Sequence, residues 1–170
     1  MFREMRRKKQ LLTTKESVAV LKRGTSGTMA VLGDDDYPYA VPLSYVYDDS
    51  GQQAKLFFHC AGAGHKLDAI RKYDKVSFCV IDQDQIVPEE YTTYFRSVVV
   101  FGRARILQDD GEKRKALEKL AEKYSPEQEE GRRKEIESQF QQVLMVEIAV
   151  EHMTGKQAIE LVRRQSSSPQ

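Results

Sequence analysis

Between residues 28 and 60 three extended apolar runs follow one another with only turns between them. Strands joined by turns, without strict alternation with helices, argue against a doubly wound parallel sheet for such a chain. Thr28-Met29-Ala30-Val31-Leu32 is a buried strand and Gly33-Asp34-Asp35-Asp36 its turn. Residues 39–47 are expected as the next strand, turned back by Asp48-Asp49-Ser50-Gly51 into residues 55–60. Further extended runs cover 75–81, 94–107 and 143–150. Gly102 breaks the second of these, where it relieves curvature at a barrel corner. Six strands with three or four short helices predict a mainly β fold with flanking helices, a small barrel or curved sheet. Pro42 lacks a ladder donor, so it marks an edge, a bulge, or a place where something other than a strand lies alongside.

The helices carry clear start signals. Thr13 and Glu16 have capping-box spacing, ahead of an apolar stripe with Val18 and Leu21. Gly24 is expected as the left-handed cap that stops this helix. Leu67, Ile70 and Tyr73 predict a two-turn helix from His65. Residues 109–135 contain 17 charged side chains around Leu117, Leu120, Ala121 and Tyr124. They read as one solvated helix and then a second with Pro126 at its first position. Five of the first ten residues are Arg or Lys, expected as a frayed basic arm, or alternatively as an arm reaching a partner subunit or an anionic ligand. Residues 1–160 are expected to form one domain, with a flexible Ser-rich tail over 161–170.

Composition removes several function classes. The 27 Lys and Arg nearly balance 26 Asp and Glu, leaving +1, so no global field favours nucleic acid or an anionic membrane. No apolar run approaches the roughly 20 residues that cross a bilayer, and the basic N-terminus has no apolar stretch behind it. Cys60 and Cys79 sit in apolar runs as small core residues and make no disulfide framework. A soluble, cytoplasmic protein is the expectation.

No nucleotide loop, dinucleotide fingerprint, paired-cysteine motif or serine elbow occurs. The three histidines, His59, His65 and His152, lack metal-ligand spacing, so no metal site is expected and no catalytic residue is assigned. The informative stretch is Phe57-Phe58-His59-Cys60-Ala61-Gly62-Ala63-Gly64-His65-Lys66-Leu67-Asp68. A strand ends, a glycine-rich connection follows, and a helix opens with His65 and Lys66 in its first turn. Cations are disfavoured there unless an anion is to be bound. Glycines admit the ligand, free N–H groups donate, and Lys66 supplies charge. The plainer alternative is a surface lysine with its stem over Leu67. His59 and Cys60 are packed strand residues first, and the wall of a planar cofactor if one lies there.

These residues, with Tyr37-Pro38-Tyr39-Ala40-Val41-Pro42-Leu43-Ser44-Tyr45 and Arg96-Ser97-Val98-Val99-Val100-Phe101-Gly102, resemble the nitroimidazole-resistance (Nim-like) branch of the pyridoxamine 5'-phosphate oxidase-like flavoproteins. Val150-Glu151-His152-Met153-Thr154-Gly155-Lys156 extends the resemblance. It implies an FMN-binding split β-barrel that forms a homodimer with FMN at the subunit interface. Val41, Pro42, Leu43 and Ser44 then lie along the flavin ring. His59, Cys60, His65 and Lys66 hold its phosphate, and Ser97 lies near the flavin. The implied function is an FMN-dependent oxidoreductase acting on a small, flat, reducible molecule, such as the nitro group of a nitroimidazole. A non-catalytic flavin carrier or redox sensor, or a haem-binding split barrel, are the alternatives. The oxidase proper has a C-terminal substrate segment with Trp and Arg, whereas this chain has no Trp, which argues against pyridoxamine phosphate oxidation.

Overall fold

The computed structural model describes residues 1–167, with side chains through residue 164. Seven strands form one antiparallel sheet: β1 (Ser26–Leu32), β2 (Pro38–Ser44), β3 (Val46–Asp48), β4 (Lys55–Ala61), β5 (Lys75–Val87), β6 (Thr92–Ile106) and β7 (Val143–Gln157). Five helices flank it: α1 (Thr14–Arg23), α2 (His65–Lys72), α3 (Asp110–Tyr124), α4 (Glu129–Gln139) and α5 (Ile159–Ser167).

The sheet order is β2-β1-β5-β6-β7-β4-β3, so β2 and β3 stand at opposite ends. Only Tyr45 separates them in sequence, so the two ends of the sheet meet there and the sheet curls into a barrel. The expected single strand over 39–47 is therefore two strands with different partners. β2 pairs with β1 and β3 with β4. Closure is incomplete. β3 covers only Lys55–Phe57 of β4, and residues 58–61 pair with β7 alone. The free edges of β2 and of late β4 diverge from the Tyr45 corner and leave the barrel split. Pro42 lies on that free-edged strand, where a missing ladder donor is tolerated.

Alternation fills the interior. Met29, Leu56, Phe58, Phe78, Val98 and Ile148 are fully buried within one barrel cluster. The opposite faces of β4 and β7 contribute Phe57 and Met145 to a second cluster beneath Leu117, Leu120, Ile136 and Phe140 of the α3–α4 pair. The apolar stripe of the charged helices thus covers the outside of the barrel. Gly102 sits at a register shift against β7, and a Cβ there would lie 2.9 Å from the Ile148 methyl, so the bend excludes a side chain.

The α1 capping box forms as expected, with Thr13 and Glu16 satisfying each other's backbone N–H groups. Gly24 differs from expectation: its backbone is extended (φ −61°, ψ 133°) rather than left-handed. Space explains the glycine, since a Cβ would lie 2.7 Å from both Tyr45 Oη and a Val80 methyl. Pro126 also differs. It lies in the α3–α4 turn, and α4 begins three residues later. The basic arm runs beside β7 with its Arg and Lys side chains exposed. Phe2 stacks on His152 at 4.6 Å, and the Leu12 N–H donates to Gly155 at 2.9 Å. Of the expected tail, residues through Ser167 continue as α5, and 168–170 lie outside the described residues.

Tyr45 is fully buried and tied on every side. Its hydroxyl donates to the Leu21 carbonyl at 2.8 Å, and its N–H donates to Tyr124 Oη at 2.9 Å. Lys123 Nζ donates to the carbonyls of Gly24 at 2.5 Å and Tyr45 at 3.0 Å, over the Tyr45 ring. No carboxylate among the described residues pairs with this ammonium, and burial pushes its pKa down to about 8. The unfolded chain, near 10.4, therefore binds more protons between about pH 8 and 10.4, so stability gained from this group rises with pH across that window. Denaturant unfolding at pH 7.5 and 9.5 is expected to show this gain in the parent and not in Lys123→Met.

Candidate functional site

The split places two sets of residues at its opposite ends. At one end, α2 opens from a connection whose glycines leave room. A Cβ on Gly62 or Gly64 would meet no atom within 4 Å, and Gly64 adopts φ 142°, a conformation that favours glycine. The Gly64 carbonyl accepts from Leu67 and Asp68, whereas the N–H groups of His65 and Lys66 precede any intrahelical acceptor. Lys66 is half-buried and, among the described residues, has neither a hydrogen bond nor an ion pair. Its charge reaches Cys60, where it partly offsets the upward push that burial gives the thiol. A free cation, open backbone and unsatisfied N–H groups fit an anion, and a phosphate in particular.

His65 opens α2 with its ring turned to the β1–β2 turn. Its ring stacks on Tyr39 at 4.2 Å, and Nε2 accepts the Asp34 N–H at 3.4 Å. Nε2 also lies 3.7 Å from the Asp34 carboxylate, whose pKa is held down chiefly by Lys72 and further by His65. This edge is engaged with the β1–β2 turn, leaving Nδ1 for any other partner. His65 braces α2 against the start of β2.

At the other end, Ser44 and His59 line one cleft of about 330 Å³. The cleft is walled by Leu117, Leu120, Ala121 and Tyr124 of α3, by Ile136 and Gln139 of α4, and by Val143. From Tyr39, against which His65 rests, to Ser44 is five residues of strand, or about 17 Å. Along that path Val41 and Leu43 pack towards the barrel core, so Pro42 and Ser44 present the outer face and the backbone edge. Cys60 points inward and is buried, so only its backbone can face the opening. Ser97 lies on the outer face of β6, three strands from β2, and one protomer does not bring it to the other candidates. The α3–α4 wall is the part that the sequence reading left unplaced. Its Leu117–Leu120 stripe was the available signal, but not which surface it covers.

No helix among the described residues is long and apolar enough to cross a membrane, and no group of three or more potential metal ligands occurs among them.

The cleft and the α2 end belong to a recognisable architecture. A 5a,11a-dehydrotetracycline/5a,11a-dehydrooxytetracycline reductase from Streptomyces rimosus is 28% identical over 102 residues, covering 60% of this chain and 69% of the relative. A candidate 5-nitroimidazole antibiotic resistance protein from Bacteroides thetaiotaomicron superposes with a TM-score of 0.68 at 19% identity, covering 86% of this chain and 85% of that one. An FAD-binding protein from Mesorhizobium loti gives 0.59 at 24% identity, over 88% and 97% of the two chains. At those identities both structures speak to the fold alone. The family model described as pyridoxamine 5'-phosphate oxidase matches residues 13–157, which takes in every strand and the whole split. The chain belongs to the pyridoxamine 5'-phosphate oxidase family and has its split-barrel fold.

Proposed function

We propose that this protein is an FMN-dependent reductase of small, flat molecules, with the cofactor lying along the free edge of β2. The observation that carries the reading is the Lys66 ammonium, without a partner among the described residues, beside the open glycine connection, at the start of a path that ends in the Ser44–His59 cleft. Lys66 and the first N–H groups of α2 would hold the phosphate. The β2 edge from Val41 to Ser44 would orient the ring through backbone groups and exclude water from one face. The flavin itself would supply electron transfer to the acceptor.

The FAD-binding neighbour and the tetracycline-derivative reductase support flavin-type reduction by their names. The resistance-protein neighbour supports a nitroimidazole-like acceptor in the same limited way.

A homodimer completes the proposal. The outer sheet face carries exposed Leu32, Ile81 and Phe101, and Ser97 stands on the same face. Burying it against a second copy would remove this apolar area from water and bring Ser97 to the neighbouring opening. Two free cysteines suit a cytoplasmic setting. The test is a visible spectrum after adding FMN and desalting. A two-banded flavin spectrum retained by the protein is expected, and a colourless protein after reconstitution would remove the cofactor from the proposal.

A further inference from the structure

We infer that the cleft between α3–α4 and the Ser44–His59 edge is the acceptor site, and that it takes neutral, planar, largely apolar molecules bearing an acceptor oxygen at one edge. This rests on the flavin reading above and adds the substrate class. Leucine, isoleucine, valine and alanine side chains make up half of the lining residues, with the Tyr124 ring beside them. Its volume, about 330 Å³, is at the small end of the roughly 300–1,000 Å³ that small-molecule pockets occupy, which suits a molecule of one or two fused rings.

The polar groups set the chemistry. The Tyr124 hydroxyl is already used, bonded to the backbone of Tyr45 and Thr25. Ser44, His59 and Gln139 make no side-chain hydrogen bond among the described residues and line the same cleft, so their donors can serve a carbonyl or nitro oxygen. No lysine or arginine lines it, and Glu135 stands at the wall as its one carboxylate. An anion entering would lose hydration beside apolar walls and meet a like charge, with no cation in return. The two helices hold this wall firmly. Lys113 Nζ donates to the Phe140 carbonyl at 2.5 Å, and Arg114 pairs with Glu137 at 2.6 Å, linking α3 to α4.

The test is equilibrium dialysis of the full-length, FMN-reconstituted protein with 2-methyl-1,4-naphthoquinone and with 1,4-naphthoquinone-2-sulfonate, a neutral and an anionic probe on one ring system. The neutral quinone is expected to bind at least about tenfold more tightly than the sulfonate. Ala121→Trp and Gln139→Trp fill the cleft from different helices, so a folding failure of one leaves the other. Each is expected to weaken the neutral quinone about tenfold and to keep FMN. Equal binding of both probes, or quinone binding unchanged in both variants, overturns the inference. Loss of FMN from both folded variants also overturns it, because the cleft then holds the flavin, and the flavin reading survives. If the parent binds the quinone, loses it in both variants and never retains FMN, the cleft stands and the flavin reading falls.

Discussion

Replacing Lys66 with alanine is expected to weaken FMN binding by about 10- to 100-fold while leaving the unfolding midpoint almost unchanged. The affinity loss follows from the phosphate. A charge-assisted hydrogen bond contributes roughly 1.5–3 kcal/mol, and each 1.4 kcal/mol is a factor of ten. The unchanged stability follows from what Lys66 does in the folded chain. Among the described residues it makes no hydrogen bond and no ion pair, so what is lost inside the chain is only the packing of its half-buried stem. A cation in the first turn of α2 is opposed by the helix dipole at about 0.3–1 kcal/mol, so its removal is neutral or slightly stabilising. A lysine kept only for folding would give the opposite result, with stability falling and affinity holding. Titration with FMN and with riboflavin, followed by flavin fluorescence, separates the two. Riboflavin has no phosphate, and its affinity is expected to be the same in the parent and in Lys66→Ala. If FMN binds the variant as tightly as the parent, the phosphate lies elsewhere.

The local features behind that expectation were open to sequence reading because they lie close together: glycines, a helix start and a cation in its first turn within five residues. The barrel core was legible for a similar reason. Strand alternation separates inward Leu56 and Phe58 from outward Phe57 and His59 with no knowledge of the partner. What stayed hidden was whatever depends on partner choice. The alternation of residues 39–47 runs through Tyr45 without interruption, because the side-chain period records which face a residue occupies and not which strand it pairs with. The far half of β5 was missed for another reason. Asp82-Gln83-Asp84-Gln85 extends as a hairpin with β6 and has no buried face to impose a pattern. His65 was placed correctly on its helix, but its ring turned to Tyr39 and Asp34, a contact 31 residues away that no spacing rule encodes.

The strand break that alternation concealed is also where stability is expected to be most sensitive. Tyr45→Ala should cost about 3–5 kcal/mol, the range for emptying a fully buried aromatic site. For a chain of this size that lowers the unfolding midpoint by on the order of 10 °C. Several losses coincide at this position. The ring is 5.0 Å from Phe78 in an edge arrangement, and Lys123 lies 4.2 Å above its centroid. Without it the Leu21 carbonyl loses its donor and the Lys123 ammonium, already costly to bury, loses its aromatic face. Tyr45→Phe isolates the hydroxyl and is expected to cost only about 1–2 kcal/mol, since ring packing and the cation–π contact persist. The backbone bonds to Tyr124 and Lys123 persist in both variants, so the corner should loosen without opening. Ser44 precedes this residue and Val46 follows it, so the corner sets how far the β2 edge stands from β4. The Phe variant should therefore keep the parent's FMN affinity, and the Ala variant should bind FMN more weakly even where it is fully folded. Midpoints equal in all three proteins would show that the sheet ends are held together elsewhere, by the α3 contacts rather than by the residue that joins β2 to β3.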